Sequence, residues 1–168
     1  MAQYARPDSD VTVSGWTASA GSTLYECIDE ASYSDTDYIS RIRADDTCEV
    51  GLSNVTDPVS ASGHVLRVRN AKSGSGSLGT CSALLMQGGT TIGTWTLTAN
   101  ATTTDAFTLS ASEANAISDY TDLRVRVTVD WVSGIITGLQ VTWIEFEVPD
   151  APSSGVPKHM MHYARMRN

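Results

Sequence analysis

Cysteine is scarce in this chain and odd in number: Cys27, Cys48 and Cys81 stand far apart, in no CxxC pair and beside no histidine. That spacing excludes a zinc ribbon, a thioredoxin-type redox motif and a disulfide-dense scaffold. Three buried free thiols in a reducing compartment are the expectation, with one bridge and one leftover thiol as the alternative. Long apolar runs are missing too. No stretch of ~18 apolar residues occurs, so no transmembrane helix is expected. The opening MAQYARPDSD lacks the apolar core of a secretory signal. Charge is thin, at 18% of residues, and internal repeats are absent. Histidine is nearly confined to one end, His64 being the only one before His159 and His162.

What is present is Ser and Thr, 20 of each, with 13 Gly among 168 residues. Thr and Val favour strands, whereas Ser, Gly, Asn and Asp favour turns, so this is the composition of an all-β domain with short connections. The strongest single signal is Leu109–Trp131. Its second half places Leu123, Val125, Val127, Val129 and Trp131 on one face and Asp122, Arg124, Arg126, Thr128 and Asp130 on the other. Period-2 alternation of this length marks a strand with one buried and one wet face. Its first half, Ser110-Ala-Ser-Glu113, fits a capping box opening a helix of one or two turns.

Val11–Trp16 begins the domain, with a strand start at Gly15-Trp16, and further strands are expected over Ser22–Ile28, Cys48–Leu52, His64–Lys72, Thr80–Met86, Thr91–Ala99, Ala106–Leu109 and Gly138–Val148. In the last, the apolar phase changes near Trp143-Ile144, which predicts a β-bulge or burial of both faces. A short helical turn after Asp35-Thr-Asp37 is expected to bury Ile39 and Ile42, and Ser73–Gly79 is expected as a flexible loop tip between two strands. Eight or nine strands with one short helix predict a jelly-roll-like antiparallel β-sandwich, an immunoglobulin-like sandwich being the runner-up. The expected organisation is an N-terminal arm (1–10), the sandwich (11–149) and a C-terminal tail (150–168).

Net charge is −8, but residues 158–168 hold three bases and no acid, which leaves −11 on the rest. An acidic body argues against nucleic acid as a partner. Catalysis needs a nucleophile with a base, or paired acids in a cleft. His64 reads as an exposed strand-end residue, and Glu145 with Glu147 as the outer face of a strand. His159 and His162 are spaced for a metal on a helix but have no third ligand nearby. Asp29, Glu30, Asp35, Asp37, Asp45 and Asp46 form an acidic cluster without EF-hand spacing. Trp95, Trp131 and Trp143 fit core positions, leaving Trp16, Tyr33 and Tyr120 as exposed aromatics for a sugar platform. No cofactor is expected. The tail is the main candidate for partner binding: Lys158, Met160, Met161, Tyr163, Arg165, Met166 and Arg167 combine adaptable apolar side chains with positive charge. Arg124 and Arg126 are the body's candidates for acidic groups across a subunit joint.

Several stretches together carry a resemblance. GWTASAGSTLYECIDE (15–30), SDTDYI (34–39), CEVGLS (48–53), GHVLRVRNAKSGSG (63–76) and LSASEANAISDYTDLRVRVT (109–128), with Asp57-Pro58, resemble a module of tailed-bacteriophage structural proteins. The similarity spans roughly residues 10–148 and lies in the order of the motifs. It implies a jelly-roll-like virion domain of the head-decoration or fibre type, with no catalytic residues to transfer. The expected protein is therefore a non-enzymatic capsid decoration (cement) protein in the virion. Its expected partners are the major capsid protein, or another virion protein, and further copies of itself as a dimer or trimer. A tail-fibre or adaptor module that recognises host glycan is the alternative.

Overall fold

The computed structural model describes residues 1–134 and 136–152. Two antiparallel sheets pack face to face in a jelly-roll-like β-sandwich with one short helix. In chain order the strands are β1 (Gln3–Ala5), β2 (Pro7–Thr12), β3 (Thr17–Ala18), β4 (Ile39–Ile42), β5 (Asp46–Leu52), β6 (Val65–Ser73) and β7 (Ser77–Leu78). They continue with β8 (Ser82–Gln87), β9 (Thr90–Thr96), β10 (Thr103–Thr108), β11 (Leu123–Val129), β12 (Trp131–Ser133) and β13 (Gly138–Val148); α1 (Ala111–Ala116) precedes β11. The first sheet runs β10-β6-β13-β4-β3, with β1 also on β13, and the second runs β2-β5-β11-β8-β9. β7 and β12 form a small separate ribbon. Apart from the β8–β9 hairpin, successive long strands alternate between the sheets, so each connection crosses an end of the sandwich.

The core follows from the alternation. Val125 and Val127 of β11 face Leu66, Val68, Ile144 and Phe146 of the opposite sheet, and all are buried. In β13 the register slips between Val141 and Trp143. Leu139 and Val141 point inward before the slip, and Ile144, Phe146 and Val148 after it. Both expectations for this strand hold together, because Trp143 and Glu145 on its outer face are buried as well. Next to the bulge the Ile144 N–H donates to the Ile28 carbonyl at 3.1 Å, which ties the 24–28 turn to this strand. At its first residue β13 passes so near β4 that a side chain on Gly138 would strike the Arg41 carbonyl. The helix is capped as expected, with Ser110 and Glu113 each accepting from the other's backbone N–H. All three cysteines are free and buried.

Four expectations change. The N-terminal arm is instead two strands: β1 pairs with β13 in one sheet and β2 with β5 in the other, so residues 3–12 clip the two layers together. Their polar, Pro-containing sequence suits edge positions, where one row of backbone groups stays unpaired. Ser22–Ile28 is not a strand but contains a 3-10 turn, Tyr25–Cys27. The Asp10 carboxylate accepts from the N–H groups of Leu24 and Tyr25, both at 2.9 Å, and holds that turn. Ile39 is buried as expected, but in β4 and not in a helical turn, and Ile42 is exposed. Part of the expected flexible tip 73–79 pairs as β7 with β12.

Candidate functional site

The outer face of the first sheet carries a row of charge pairs framed by two tyrosines. Glu145, 6% exposed, accepts from Arg6 at 2.5 Å and from Arg67 at 3.4 Å, and Arg67 also reaches Glu147 at 2.5 Å. The expected surface carboxylate is therefore buried, because β1 brings Arg6 beside it. At one end of the row the Arg6 guanidinium lies 5.4 Å from the Tyr4 ring centre. At the other, Arg69 lies 4.0 Å from the Tyr33 ring centre, and Tyr33 meets Trp143 edge-on at 6.2 Å. The 29–38 loop is pinned over this face by Asp35, which grips Arg69 with both oxygens at 2.6 Å, and by Trp143 Nε1 donating to the Glu30 carbonyl at 2.7 Å. Arg69 holds the Asp35 carboxyl below its ordinary range. Tyr4 and Tyr33 remain 45% and 53% exposed, each ring backed by a guanidinium.

The outer face of the second sheet centres on Glu49, 3% exposed. Cross-strand register sets Arg126 opposite it. Arg126 Nε donates to Glu49 at 2.8 Å and Arg124 Nη1 at 3.3 Å, and Arg124 also grips Asp122 at 3.0 Å. Asp122 and Glu49 raise the Arg124 guanidinium above its ordinary value. Both candidate arginines thus face outward as read from the alternation, and both already have partners within the chain. Beside them an open, polar cavity of about 390 Å³ is lined by Asp8, Ser9, Asp10, Asn54, Asp122 and Arg124 among others.

The remaining candidates scatter. His64 is fully buried, not a surface residue: its Nε2 meets the Tyr120 hydroxyl at 2.8 Å while its ring lies 5.9 Å from Phe146. Burial holds His64 below its usual pKa and pushes Tyr120 up to about 12. Trp16 and Tyr120, expected as exposed platforms, are both core residues. Trp95 and Trp131 are half-buried, Trp95 stacking on Phe107 at 5.6 Å. The acidic residues disperse to separate tasks: Asp35 on Arg69, Asp37 accepting from Ser19, Asp45 from the Trp131 N–H, and Asp46 on Arg41. Among the described residues no three His, Cys, Asp or Glu side chains converge as metal ligands. Burial pushes the Cys48 thiol up to about 12 and raises Cys27 and Cys81, which makes all three poor nucleophiles. Lys158, Met160, Met161, Tyr163, Arg165, Met166 and Arg167 lie outside the described residues.

One surface escaped the sequence reading. Val13, Ile42, Val132 and Ile136 are all exposed, in β4, β12 and the neighbouring loops at one end of the sandwich. Arg41 donates to the Gly15 carbonyl at 2.6 Å, the Arg43 N–H to Thr137 at 3.1 Å and the Trp131 N–H to Asp45 at 2.6 Å, tying those loops together. Ile42 and Val132 belong to the short strands β4 and β12 and the other two to loops, so the alternation of the long strands did not mark them. β13 starts at this end and runs 11 residues, about 36 Å, to the other, where Pro149 follows.

These surfaces define a jelly-roll-like sandwich module with open, polar faces and one apolar end. No protein-family model matches the chain, and no curated protein does. Among solved structures it is similar to a carbohydrate-binding module, CBM36, in complex with calcium and xylotriose. That likeness covers 69% of this chain and 75% of the other at 18% identity, with a TM-score of 0.28. A score that low carries no argument about a site.

Proposed function

We propose that this chain is a non-enzymatic structural protein of a tailed-bacteriophage particle, a decoration or cement protein that binds the outer shell as a homo-oligomer. The observation that carries the reading is the apolar end. Exposed aliphatics from three parts of the chain, Val13, Ile42, and Val132 with Ile136, mark a contact surface. The stretches that resemble phage structural proteins supply framework: Trp16, Leu24, Ile28, Ile39, Leu66, Val68 and Tyr120 are buried, and Ser110 with Glu113 caps the helix. Buried Glu49 and Glu145 are each held by two arginines, so neither is poised as a free acid or base. In this reading the apolar end meets the major capsid protein or a neighbouring copy, and the basic, Met-rich tail makes the second contact. Binding the assembled state and not the free subunits stabilises the shell by mass action.

The test is addition of the protein to purified particles that lack it, read by co-sedimentation and by density on the shell. Stoichiometric binding, lost in a folded Val132→Asp/Ile136→Asp variant, is the expected result. A protein that never co-sediments and is missing from purified virions refutes the reading.

A second reading, recognition of host glycan, is favoured by Tyr4 and Tyr33, whose exposed rings are held by guanidinium groups beside a row of carboxylates and arginines. Rigid aromatic faces next to planar donors and acceptors suit a sugar's apolar face and its hydroxyls. Binding on a glycan array that disappears in Tyr33→Ala would establish it, and a blank array would remove it.

A further inference from the structure

We infer that the groove between the 57–61 loop and α1 is the docking site for the chain's own C-terminal segment, residues 156–168. The groove, about 390 Å³, is walled by Val59, Ala61, Ala114, Ile117 and Tyr120, with Asp57, Ser60 and Asn115 at its polar positions. Val59 is the anomaly that marks it. Its side chain is 78% exposed and its backbone sits at φ +51°, a conformation that β-branched residues strongly disfavour and that Gly or Asn adopts at much lower cost. An Asx turn, Val59 N–H to Asp57 at 2.7 Å, holds the loop in that shape. A strained residue that presents an aliphatic side chain to solvent has no part in the core, and it acquires one when an apolar ligand covers it.

The occupant follows from where the described chain ends. Gln3 Nε2 donates both to the Pro149 carbonyl at 3.0 Å and to the Thr56 carbonyl at 2.8 Å, one residue before the groove's wall. At the wall's other end a side chain on Gly63 would sit 3.1 Å from the Pro149 ring. The polypeptide therefore leaves the sandwich beside the groove. Met160 is eight residues beyond Pro152, a reach of up to about 28 Å. Charge agrees. The groove's lining contains Asp57 and no Lys or Arg, whereas residues 153–168 contain Lys158, Arg165 and Arg167 and no acid. Methionine side chains adapt to a shallow mixed groove. A tether this short gives an effective concentration on the order of millimolar, so weak contacts suffice and the chain's own segment outcompetes that of a second copy. The inference does not depend on the phage reading. A segment held this way stays off other acidic surfaces until a partner competes for it.

The test is methyl NMR on the full chain at low concentration and low salt. Nuclear Overhauser contacts between the methyls of Met160, Met161 or Met166 and those of Val59 and Ile117 are expected. They should survive in a mixed sample filtered for intramolecular pairs, and they should fade as salt is raised. Val59→Asn should raise the melting temperature while weakening those contacts, a split that a merely structural valine would not give. A Met160→Ser/Met161→Ser chain should shift amide signals of 57–61 and 111–120 and leave the apolar end unmoved. Contacts that are absent, or that arise only between molecules, overturn the inference, as does a Val59→Asn chain that loses stability and keeps its contacts.

Discussion

The buried His64–Tyr120 pair makes stability depend on pH in a window where few other groups titrate. His64 is fully buried, with Nε2 on the Tyr120 hydroxyl at 2.8 Å and Nδ1 without a partner. Burial therefore holds its folded pKa below the ordinary value. The unfolded chain takes up a proton as pH falls through about 6.5 and the folded chain only at a lower pH, so protonation favours unfolding in that range. The slope is at most about 1.4 kcal/mol per pH unit. With His64 neutral throughout, the loss from pH 7 to pH 5.5 is about 1.3 kcal/mol, or roughly 3–5 °C in melting temperature for a chain of this size. Urea unfolding followed by tryptophan fluorescence at the two pH values measures it. Two background effects run the other way. The folded domain's net negative charge shrinks as pH falls, and the raised pKa of half-buried Glu30 lets the folded chain take that proton first, adding stability on acidification. His64→Phe keeps the ring and removes the titration, so the difference in loss between wild type and variant isolates the histidine. Equal pH dependence in the two chains refutes the reasoning, and a wild type that gains on the variant as pH falls refutes its sign.

Removing both Arg124 and Arg126 by alanine leaves the Glu49 carboxylate without its two ion-pair partners and should cost about 1–3 kcal/mol in urea unfolding. Adding Glu49→Leu to that pair should recover most of the loss. Ser110→Ala, which removes the observed helix cap, should cost about 1 kcal/mol by the same assay. Phe146→Ala at a fully buried position between the sheets should cost about 3–5 kcal/mol, unless the site collapses on the cavity. The three buried thiols, all raised in pKa, should resist a thiol reagent at pH 8 until urea is added. Rapid stoichiometric labelling of the native chain would show that they are not shielded.

How much was legible depends on whether a residue's role is local. The Val ladder of β11 and the Ser110–Glu113 box were readable because alternation and capping involve residues within a few positions of each other. The bulge in β13 was readable because a phase change is written into the strand itself. Leu24–Ile28 misled for the converse reason. Its alternation suits a strand, and what makes it a turn is a carboxylate 14 residues away, Asp10, accepting from Leu24 N–H. The N-terminal strands were hidden because edge strands need few apolar residues, and β1 and β2 derive their order from the partners they pair with. His64 and Tyr120 looked like surface residues because polar side chains usually are; each is buried because the other, 56 residues along, supplies its hydrogen bond.

Local sequence was enough for the all-β class, the inward faces of β5, β6 and β11, and the helix with its cap. These follow from periodicity and near-neighbour chemistry. Which charges meet, which aromatics stay outside and where the exposed aliphatics gather all depend on the three-dimensional fold. Glu49 faces Arg126 because of a cross-strand register, and Tyr33 reaches Arg69 because a loop folds back over a sheet. Val13, Ile42, Val132 and Ile136 share an end because connections between sheets return there. Each of those depends on contacts between residues distant in the chain, which is information that no window of sequence contains.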